Sequence, residues 1–578
     1  MMIGVFVLLV AAAAGAAADL DMVEMERSTF ETHASKQGWS CVGDAEAERM
    51  HMLTVALKVR NVELLEKATV AASDPASALY GKWWSKAQVD AASAPSGESV
   101  SVVKAWLRAS FGGGVVMDES FVGFIDVVVP IAAAERALAA DFRLFAHARH
   151  NGTLPRAHAY SLPRHVAAHV DFVGNVVRFH SLRTPLKIDV TTSKTTTTTT
   201  TATTAASASS SKRATPSLAV TPNLLLERYD LYNYSPNRTV VRQSIAQFLG
   251  QMWSVVDLEE FEAIFAQSCI GKCEPYKTIG PNQWFTPGVE SNLDVQYITS
   301  VSKGIPTLVL SNETTKLGQE PFLRFAMQLL ALQGDDAIAT VSVSYGDDED
   351  SLSAAYMKRT SAEFVKAGLR GISILVAAGD SGASCKASGA AFSPAYPASD
   401  PWVTTVGGTD ADSLYTGPEY VNSLSGGGFS NVFVRPSWQN AAVTNWLATG
   451  GSAIPPQTYF NVSGRAYPDV AAFSNMFIVV TDLIPAPVAG TSCASPTMAA
   501  VISSLSDWRV ANGGAPLGFL NPWLYSAKAA SIFNGIKSGS NYGCSATGGV
   551  GFTALPSGAW APTTGMGSIS FTRAQKAL

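Results

Sequence analysis

Histidine is missing from the last two thirds of this chain. The sequence has 578 residues and 8 histidines, and all of the histidines lie between His33 and His180. A serine hydroxyl is a poor nucleophile unless a nearby base takes its proton, and histidine is the usual base. A nucleophilic serine in the C-terminal part must therefore use a carboxylate instead.

Charged residues are also scarce. They make up 15% of the chain, and hydrophobic residues make up 47%. This composition is that of a globular protein and not of a disordered or fibrous one. The net charge is -5 and lysines and arginines form no cluster, so we expect no nucleic-acid partner. A chain of this length exceeds one hydrophobic core and predicts two or more domains.

Only 6 cysteines are present, too few for a disulfide scaffold. Cys269 and Cys273 are near enough in sequence to close a small loop, and Cys385 and Cys544 are plausible long-range partners. The spacing alone leaves the connectivity open.

The chain begins with an apolar segment that ends in an alanine-rich run at Ala18. Its length and its small-residue end predict a signal peptide over residues 1–18, and thus the secretory pathway, with a lysosome, a vacuole or the extracellular space as the destination. A membrane anchor is the weaker alternative, because about 20 apolar residues are needed to span a bilayer. The predicted glycosylation sites are Asn151, Asn237, Asn312 and Asn461.

A threonine-rich tract divides the chain. Residues 191–215 contain too little apolar surface to offset their ordering entropy, so they predict a solvated linker. The basic pair Lys212-Arg213 predicts a cleavage site between Lys212 and Leu218. The remaining parts are an N-terminal domain over residues 19–190 and a C-terminal domain over residues 216–578.

The two domains differ in pattern. In the C-terminal domain, apolar runs at residues 307–310, 339–343 and 372–378 predict buried strands, and residues 320–332 and 351–367 predict helices. This alternation favours an α/β fold with a doubly wound, mostly parallel sheet, whose ligands bind at the carboxyl ends of the strands. The N-terminal domain is predicted to be α+β, with helical spacing over residues 45–70 and a strand at residues 124–129.

Two carboxylates lie four residues apart on a predicted helix. Glu290 and Asp294 would share one face, and two carboxyl groups held close together share a proton and form an acid/base pair. An ordinary solvated acidic face is the alternative.

Two further candidates lie near strand and helix ends. Asp380 follows the strand at residues 372–378, where a protonated carboxyl could donate to a developing oxyanion; a turn aspartate is the alternative. Ser492 precedes a predicted helix at residues 497–505 with Pro496 in its first turn, and it could instead be a capping serine. Cys493 is a poorer nucleophile, since no histidine is near to make a thiolate.

Together these motifs resemble the sedolisin, or serine-carboxyl peptidase, family. Glu290 and Asp294 match its catalytic Glu-x-x-x-Asp, Asp380 its oxyanion aspartate in Gly-Asp-Ser-Gly, and Ser492 its nucleophile in Gly-Thr-Ser. Other stretches that agree are Ser344-Tyr345-Gly346, Ser425-Gly426-Gly427-Gly428 and, before the linker, Ser73-Asp74-Pro75, Tyr80-Gly81-Lys82 and His169-Val170-Asp171.

The resemblance implies a subtilisin-like catalytic fold, a removable inhibitory prodomain and peptide or unfolded protein substrates. It also implies that Ser344, Tyr345 and Gly346 line the substrate strand. The expected activity is acid serine peptidase action, with release of tripeptides from free N-termini preferred. An acid endopeptidase and a catalytically dead binding protein are the alternatives. Protonation of the six histidines between His147 and His180 is expected to release the prodomain, although these side chains could equally be solvated and without a role.

The sequence departs from the family at its calcium site. The two aspartates that the family uses there correspond to Gly535 and Ala561. Calcium needs several oxygen ligands, usually including anionic ones. We therefore expect no required cofactor, and no calcium dependence, although Asn534 could supply one neutral oxygen.

Overall fold

The computed structural model describes residues 21–28, 38–147, 150–179, 187–188, 219–312, 321–386, 389, 391–544 and 549–578. The predicted signal peptide, linker and cleavage segment lie outside these residues. Within the described part of the chain, no helix has both the length and the apolar character needed to cross a membrane.

The N-terminal domain mixes strands and helices, as predicted. Its strands are β1 (Met22–Arg27), β2 (Trp39–Asp44), β3 (Met50–Leu57), β4 (Phe124–Pro130), β5 (Phe142–His147), β6 (His150–Ala157), β7 (Ala159–Pro163) and β8 (Val170–Gly174). Its helices are α1 (Val62–Ser73), α2 (Lys86–Ser93), α3 (Gly97–Phe111), α4 (Ile131–Leu138) and α5 (Arg164–Ala167).

The helix expected over residues 45–70 is wrong in its first half. Strand β3 occupies that half and pairs with β4 on one side and β8 on the other. Leu53, Val55 and Leu57 are buried in the core of this domain. A central strand buried on both faces carries a near-continuous apolar run, which periodicity alone cannot distinguish from a buried helix.

The C-terminal domain alternates strands and helices. Strand β9 (Lys187–Ile188) precedes it, and its own strands are β10 (Gln243–Gln247), β11 (Lys277–Ile279), β12 (Thr307–Ser311), β13 (Thr340–Val343), β14 (Asp347–Asp348), β15 (Ser373–Ala377), β16 (Ala395–Tyr396), β17 (Thr404–Ala411), β18 (Glu419–Val421), β19 (Gly428–Val434), β20 (Gly464–Tyr467), β21 (Val470–Phe473), β22 (Phe477–Thr481), β23 (Ile484–Ala489), β24 (Phe533–Asn534) and β25 (Ser568–Ile569). Its helices are α6 (Pro222–Arg228), α7 (Val255–Phe265), α8 (Val289–Val301), α9 (Pro321–Ala331), α10 (Ala354–Leu369), α11 (Asn440–Thr449), α12 (Thr491–Ala511), α13 (Asn521–Leu524) and α14 (Phe571–Ala577).

An eight-stranded sheet forms the centre of this domain. Its strand order is β11-β12-β10-β13-β15-β17-β18, and β21 also pairs with β17. All of these pairs are parallel except β17 with β18. Side chains from alternate positions pack to opposite faces, so that α8 and α12 cover one face and α9 and α10 cover the other. The predicted α/β fold is confirmed.

The N-terminal domain docks on the face that α10 covers. Its Phe124 and Phe172 belong to the same buried cluster as the apolar residues of α9 and α10. The Trp84 backbone N–H donates to the carbonyl oxygen of Leu369 at 2.9 Å. Trp83 Nε1 donates to the carbonyl oxygen of Pro516 at 3.0 Å. Apolar burial and backbone hydrogen bonds thus hold the two domains together.

Two ion pairs cross the same interface. Asp126 pairs with Arg324 at 2.8 Å, and Asp171 pairs with Arg359 at 3.4 Å. The guanidinium of Arg359 also lies 4.2 Å from the centre of the Phe124 ring. The side chain of Arg359 is almost completely buried, so it needs charged partners, and it also pairs with Glu363 on its own helix.

The histidines predicted to act at the interface have other positions. His158 and His165 are exposed, and Nδ1 of His169 lies 3.0 Å from Ser99 Oγ within the N-terminal domain. His180 lies outside the described residues, and so does the His150 side chain. His147 is 6% exposed. Among the histidines that the structure describes, His51 on β3 has a lowered pKa, and its Nε2 lies 2.8 Å from the carbonyl oxygen of Asn175.

Burial gives His51 a pH-dependent effect on stability. Burial, with a smaller contribution from the charge of Arg156, lowers the pKa of His51 from 6.5 to about 4. A histidine whose pKa is lowered by folding favours the unfolded domain as it protonates, so stability is lost as the pH falls from 6.5 to about 4. The full loss is about 3 kcal/mol.

We expect His51→Gln to flatten the pH dependence of stability in the N-terminal domain, since glutamine can donate to the same carbonyl without titrating. The measurement is hydrogen exchange of the β3 amides in the full chain between pH 7 and pH 4, corrected for intrinsic rates. His165→Gln, at an exposed position, is the matched control and should keep the wild-type dependence. Identical pH dependence in all three proteins would refute the assignment.

Candidate active site

Five predicted positions meet at the carboxyl end of the central sheet. Ser344 directly follows β13, and Asp380 follows β15 after two residues. Ser492 is the second residue of α12, which packs across β13, β15 and β17. Glu290 and Asp294 lie on α8, which packs against α12.

Helix α8 is buried along almost its whole length, and its polar side chains lie on two opposite faces. On one face, Asn292 donates to Asp257 at 2.8 Å and Gln296 donates to the carbonyl oxygen of Val480 at 2.8 Å. Residues 290 and 294 are one turn apart on the other face. The hydrogen bonds of the first face thus hold the two carboxyl groups at a fixed rotation of the helix.

Both carboxyl groups of that second face are removed from solvent. Glu290 is 2% exposed and Asp294 is fully buried. Burial raises the pKa of each group well above its ordinary value, and for Glu290 the charge of Asp294 raises the pKa further. A raised pKa favours the protonated form in the folded state, so the pair stabilises the fold most at acid pH and less as the pH rises.

Two hydroxyl groups oppose this rise in pKa. Ser344 Oγ donates to Asp294 Oδ1 at 2.6 Å and lowers the pKa of that carboxyl. The nearby Ser492 hydroxyl lowers the pKa of Glu290, but the hydrogen bond that Ser492 Oγ donates goes to the carbonyl oxygen of Ser344 at 3.4 Å, and neither carboxyl oxygen of Glu290 has a hydrogen-bond partner. A hydroxyl beside a carboxylate can pass its proton to it.

Asp380 is held by the residue that precedes the candidate nucleophile. The Thr491 backbone N–H donates to Asp380 Oδ1 at 2.6 Å, and Thr491 Oγ1 donates to the same oxygen at 2.7 Å. The Gly379 backbone N–H donates to Thr491 Oγ1 at 3.0 Å. An oxygen that accepts two hydrogen bonds behaves as the carbonyl oxygen of a carboxylic acid, which directs a bound proton to Oδ2.

Thr491 and the hydroxyl of Ser344 are functional groups that the sequence analysis did not identify. Thr491 lies inside the Gly-Thr-Ser motif, but only the fold places its side chain on Asp380. The side chain of Ser344 donates to Asp294, and its place in the substrate strand stays a prediction. Burial raises the pKa of Tyr345, and the charges of Glu290 and Asp294 raise it further. The Tyr345 hydroxyl is therefore also close to the pair.

Helix α12 begins earlier than predicted. It starts at Thr491, so Pro496 is its sixth residue and not part of its first turn. Proline has no N–H to donate to the carbonyl four residues before it, and here that carbonyl belongs to Ser492. The capping role considered for Ser492 is also wrong, because the residue lies inside the helix.

The cysteines divide as the spacing suggested. Disulfides join Cys269 to Cys273 and Cys385 to Cys544. Cys41 is exposed and Cys493 is buried. Burial raises the pKa of the Cys493 thiol well above its ordinary value, and the charges of nearby carboxylates raise it further. The raised pKa disfavours a thiolate at Cys493.

We therefore expect iodoacetamide at pH 8 to alkylate Cys41 and to leave Cys493 unmodified in the native protein, since only an accessible thiolate reacts. Mass spectrometry of peptides after the reagent is quenched measures both sites in one sample. Denaturation before labelling should make both reactive. Rapid alkylation of Cys493 in the native protein would show an accessible thiolate and would support Cys493 as the nucleophile.

The predicted calcium positions do not fit an ion. Gly535 packs directly against the loop that contains Gly558, and a β-carbon at Gly535 would collide with the Gly558 carbonyl oxygen. Ala561 is buried in an apolar cluster that includes Trp446 and Trp560. In the part of the chain that the structure describes, no group of three His, Cys, Asp or Glu residues could hold a metal.

The predicted glycosylation sites differ in accessibility. Asn237 and Asn461 are exposed. Asn312 is only 5% exposed, which does not suit a glycan acceptor in this conformation. The side chain of Asn151 lies outside the described residues.

Comparisons with known proteins match this arrangement. A family model described as "Pro-kumamolisin, activation domain" matches residues 37–179. Tripeptidyl-peptidase 1 of Homo sapiens is 38% identical over 557 residues, which cover 94% of each chain, and the enzyme of Mus musculus is 37% identical over 552 residues with the same coverage. A solved structure of Pseudomonas sedolisin, a serine-carboxyl proteinase, covers 62% of this chain and 97% of its own at 22% identity, with a TM-score of 0.48.

The activation-domain match coincides with the N-terminal domain, which is therefore a prodomain. The identity to tripeptidyl-peptidase 1 extends over nearly the whole of both chains. Helix α8, the loop after β15 and the start of α12 contain the motifs that predicted the family. The chain belongs to the sedolisin, or serine-carboxyl peptidase, family of serine-type peptidases.

Proposed function

We propose that this serine-type peptidase works at acid pH and releases tripeptides from the free N-termini of peptides, with Ser492 as the nucleophile. The observation that carries the proposal is the position of the Ser492 hydroxyl against the buried pair of Glu290 and Asp294. The preference for tripeptides rests on the similarity to tripeptidyl-peptidase 1. Action inside peptide chains is the second candidate.

In the first step, Ser492 Oγ attacks the scissile carbonyl carbon. Its proton passes to the carboxylate of Glu290, which later returns the proton to the leaving amine. Asp294 interacts with Glu290 and raises its pKa. A base with a raised pKa takes the serine proton more readily than an ordinary carboxylate does.

Asp380 stabilises the oxyanion that this attack creates. In its protonated form it donates a hydrogen bond to the oxyanion, and the two bonds from Thr491 keep the carboxyl group in position before the substrate arrives. Unperturbed carboxyl groups titrate near pH 4, and burial moves this range upward, so activity requires an acid solution.

The prodomain keeps the enzyme inactive until it is removed. After the prodomain, β9 pairs with β23 at Val488 and Ala489, three residues before the nucleophile. Residues 187 and 188 therefore lie beside the strand that leads to the nucleophile. The chain then enters the segment that contains Lys212, where we place the activating cleavage.

Acid acts with opposite sign on His51 and on Asp171 at the interface. Burial raises the pKa of Asp171 in the docked state, so this group binds its proton more tightly there and favours docking as the pH falls. Burial lowers the pKa of His51, so its protonation destabilises the domain that contains it. We therefore assign acid-induced release of the prodomain to His51 and not to Asp171.

One assay tests the proposed activity. The acid-activated enzyme is incubated at about pH 4 and at about pH 7.5 with a decapeptide and with its N-acetylated form, and the products are weighed by mass spectrometry. We expect successive loss of three-residue fragments from the free peptide at acid pH only, and no reaction of the acetylated form. Cleavage of both peptides at internal bonds would favour the endopeptidase, and full activity at neutral pH would contradict the carboxylate mechanism.

A second experiment tests the oxyanion carboxyl and its support. Asp380→Asn should lower kcat at least about 100-fold, and Thr491→Val should lower it about 10-fold with little change in KM, because the carboxyl loses one of its two hydrogen bonds. Thr491→Ser retains the hydroxyl and is the matched control, with nearly wild-type kcat. Ser492→Ala supplies the inactive baseline. An unchanged rate in Asp380→Asn would show that an amide donor suffices and that a protonated carboxyl is not required.

A further inference from the structure

We propose that the guanidinium of Arg573, and not a calcium ion, holds the C-terminal loop of the catalytic domain in place. This loop comprises residues 531–536 and 557–562, which contain the two positions where the family binds calcium. Both carboxylates are absent here, and a β-carbon at Gly535 would collide with the carbonyl oxygen of Gly558.

Arg573 bonds directly to the first half of this loop. Its Nη1 donates to the carbonyl oxygens of Ser531 at 3.0 Å and Phe533 at 3.2 Å. Its Nη2 donates to Oδ1 of Asn534. All three acceptors are neutral oxygens, of the backbone and amide types that also bind calcium in proteins. The positively charged guanidinium thus interacts with the partial negative charges of these oxygens, as a bound cation would.

The position of Arg573 is determined by its own helix. Arg573 is the third residue of α14, whose first residue, Phe571, is buried in the main core. Ser570 caps this helix by accepting from the Arg573 backbone N–H at 3.4 Å. A guanidinium anchored at its backbone loses less side-chain entropy when it bonds than a mobile surface arginine does.

The second half of the loop packs on the first without an ion between them. Gly535 contacts Gly558 through backbone atoms, and any side chain at Gly535 would prevent this contact. Strands β24 and β25 pair at Phe533 with Ile569 and at Asn534 with Ser568, which connects the loop to the segment just before α14. The closed arrangement therefore depends on Arg573 and on glycine at position 535.

The loop also contacts the Ser425-Gly426-Gly427-Gly428 segment, one of the stretches that agree with the family. A β-carbon at Gly427 would collide with the carbonyl oxygen of Pro562, so the two backbones are in contact. Asn541 Nδ2 donates to the carbonyl oxygens of Ser425 at 3.2 Å and Pro562 at 3.4 Å. Loss of the Arg573 bonds would therefore loosen the chain behind Ser425 and Gly427 as well as the loop itself.

The experiment measures the melting temperature of the full-length protein at neutral pH with EGTA and with added calcium. The wild type should melt within about 1 °C in both conditions, while Arg573→Ala should melt at least about 3 °C lower in both, with no rescue by calcium. Arg573→Lys should recover part of the loss, since an ammonium keeps the charge but not the planar fork. Hydrogen exchange should rise in residues 531–536 and 557–562 of Arg573→Ala.

Arg435→Ala is the matched control. Arg435 also donates to one side-chain amide oxygen, that of Asn440 at 3.1 Å, and to one carbonyl oxygen, that of Val462 at 3.4 Å, but it lies outside the loop. Its loss should leave exchange in the loop unchanged. The proposal is overturned if EGTA lowers the melting temperature of the wild type and calcium restores it, if calcium rescues Arg573→Ala, or if Arg573→Ala changes neither the melting temperature nor exchange in the loop. Because these readouts need no turnover, they are independent of the proposed activity.

Discussion

The burial of two carboxyl groups on one helix is the constraint on which the catalytic domain depends. Charged carboxylates are costly to remove from water, so a structure that buries Glu290 and Asp294 side by side must keep at least one of them protonated. The opposite face of α8 compensates through ordinary amide hydrogen bonds to Asp257 and Val480. The contribution of this pair to the stability of the fold is therefore largest in acid and falls as the pH rises.

The same constraint explains why the site needs no histidine. An imidazole would be largely protonated at the pH where the carboxyl pair holds its proton, and a protonated base cannot accept one. A carboxylate with a raised pKa is a base matched to acid solution. Asp380 follows the same logic, since a carboxylic acid donates a hydrogen bond only where it is protonated.

The contacts that hold the prodomain on the catalytic domain do not include the histidine that we expect to respond to pH. Apolar contacts around Phe124 and Phe172 and backbone bonds such as that of Trp84 bind the two domains without regard to pH. We propose that His51, inside the prodomain, contributes to sensitivity to acid, because burial lowers its pKa. Release of the prodomain by protonation of the six later histidines stays a prediction, and these histidines differ in burial, since His147 is 6% exposed. His158 and His165 are exposed, and only packing distinguishes them from His51.

The sequence by itself determined the fold class, the candidate catalytic residues and the absence of carboxylates at the two positions where the family has them. Each of these is local, because Glu-x-x-x-Asp on a helix, Gly-Asp-Ser-Gly after a strand and Gly-Thr-Ser before a helix are short motifs with a fixed chemical reason. Tertiary structure alone decided which neighbours these residues meet. Thr491 reaches Asp380 from 111 residues away, and Ser344 reaches Asp294 from 50 residues away. Strand β3 has a sequence pattern that also fits a helix, and its pairing with β4 and β8 makes it a strand. Arg573 has no distinctive sequence pattern, and only the fold brings residues 531–534 within hydrogen-bonding distance of it. Hydrogen bonds between distant segments depend on the three-dimensional path of the chain, and no local pattern records that path.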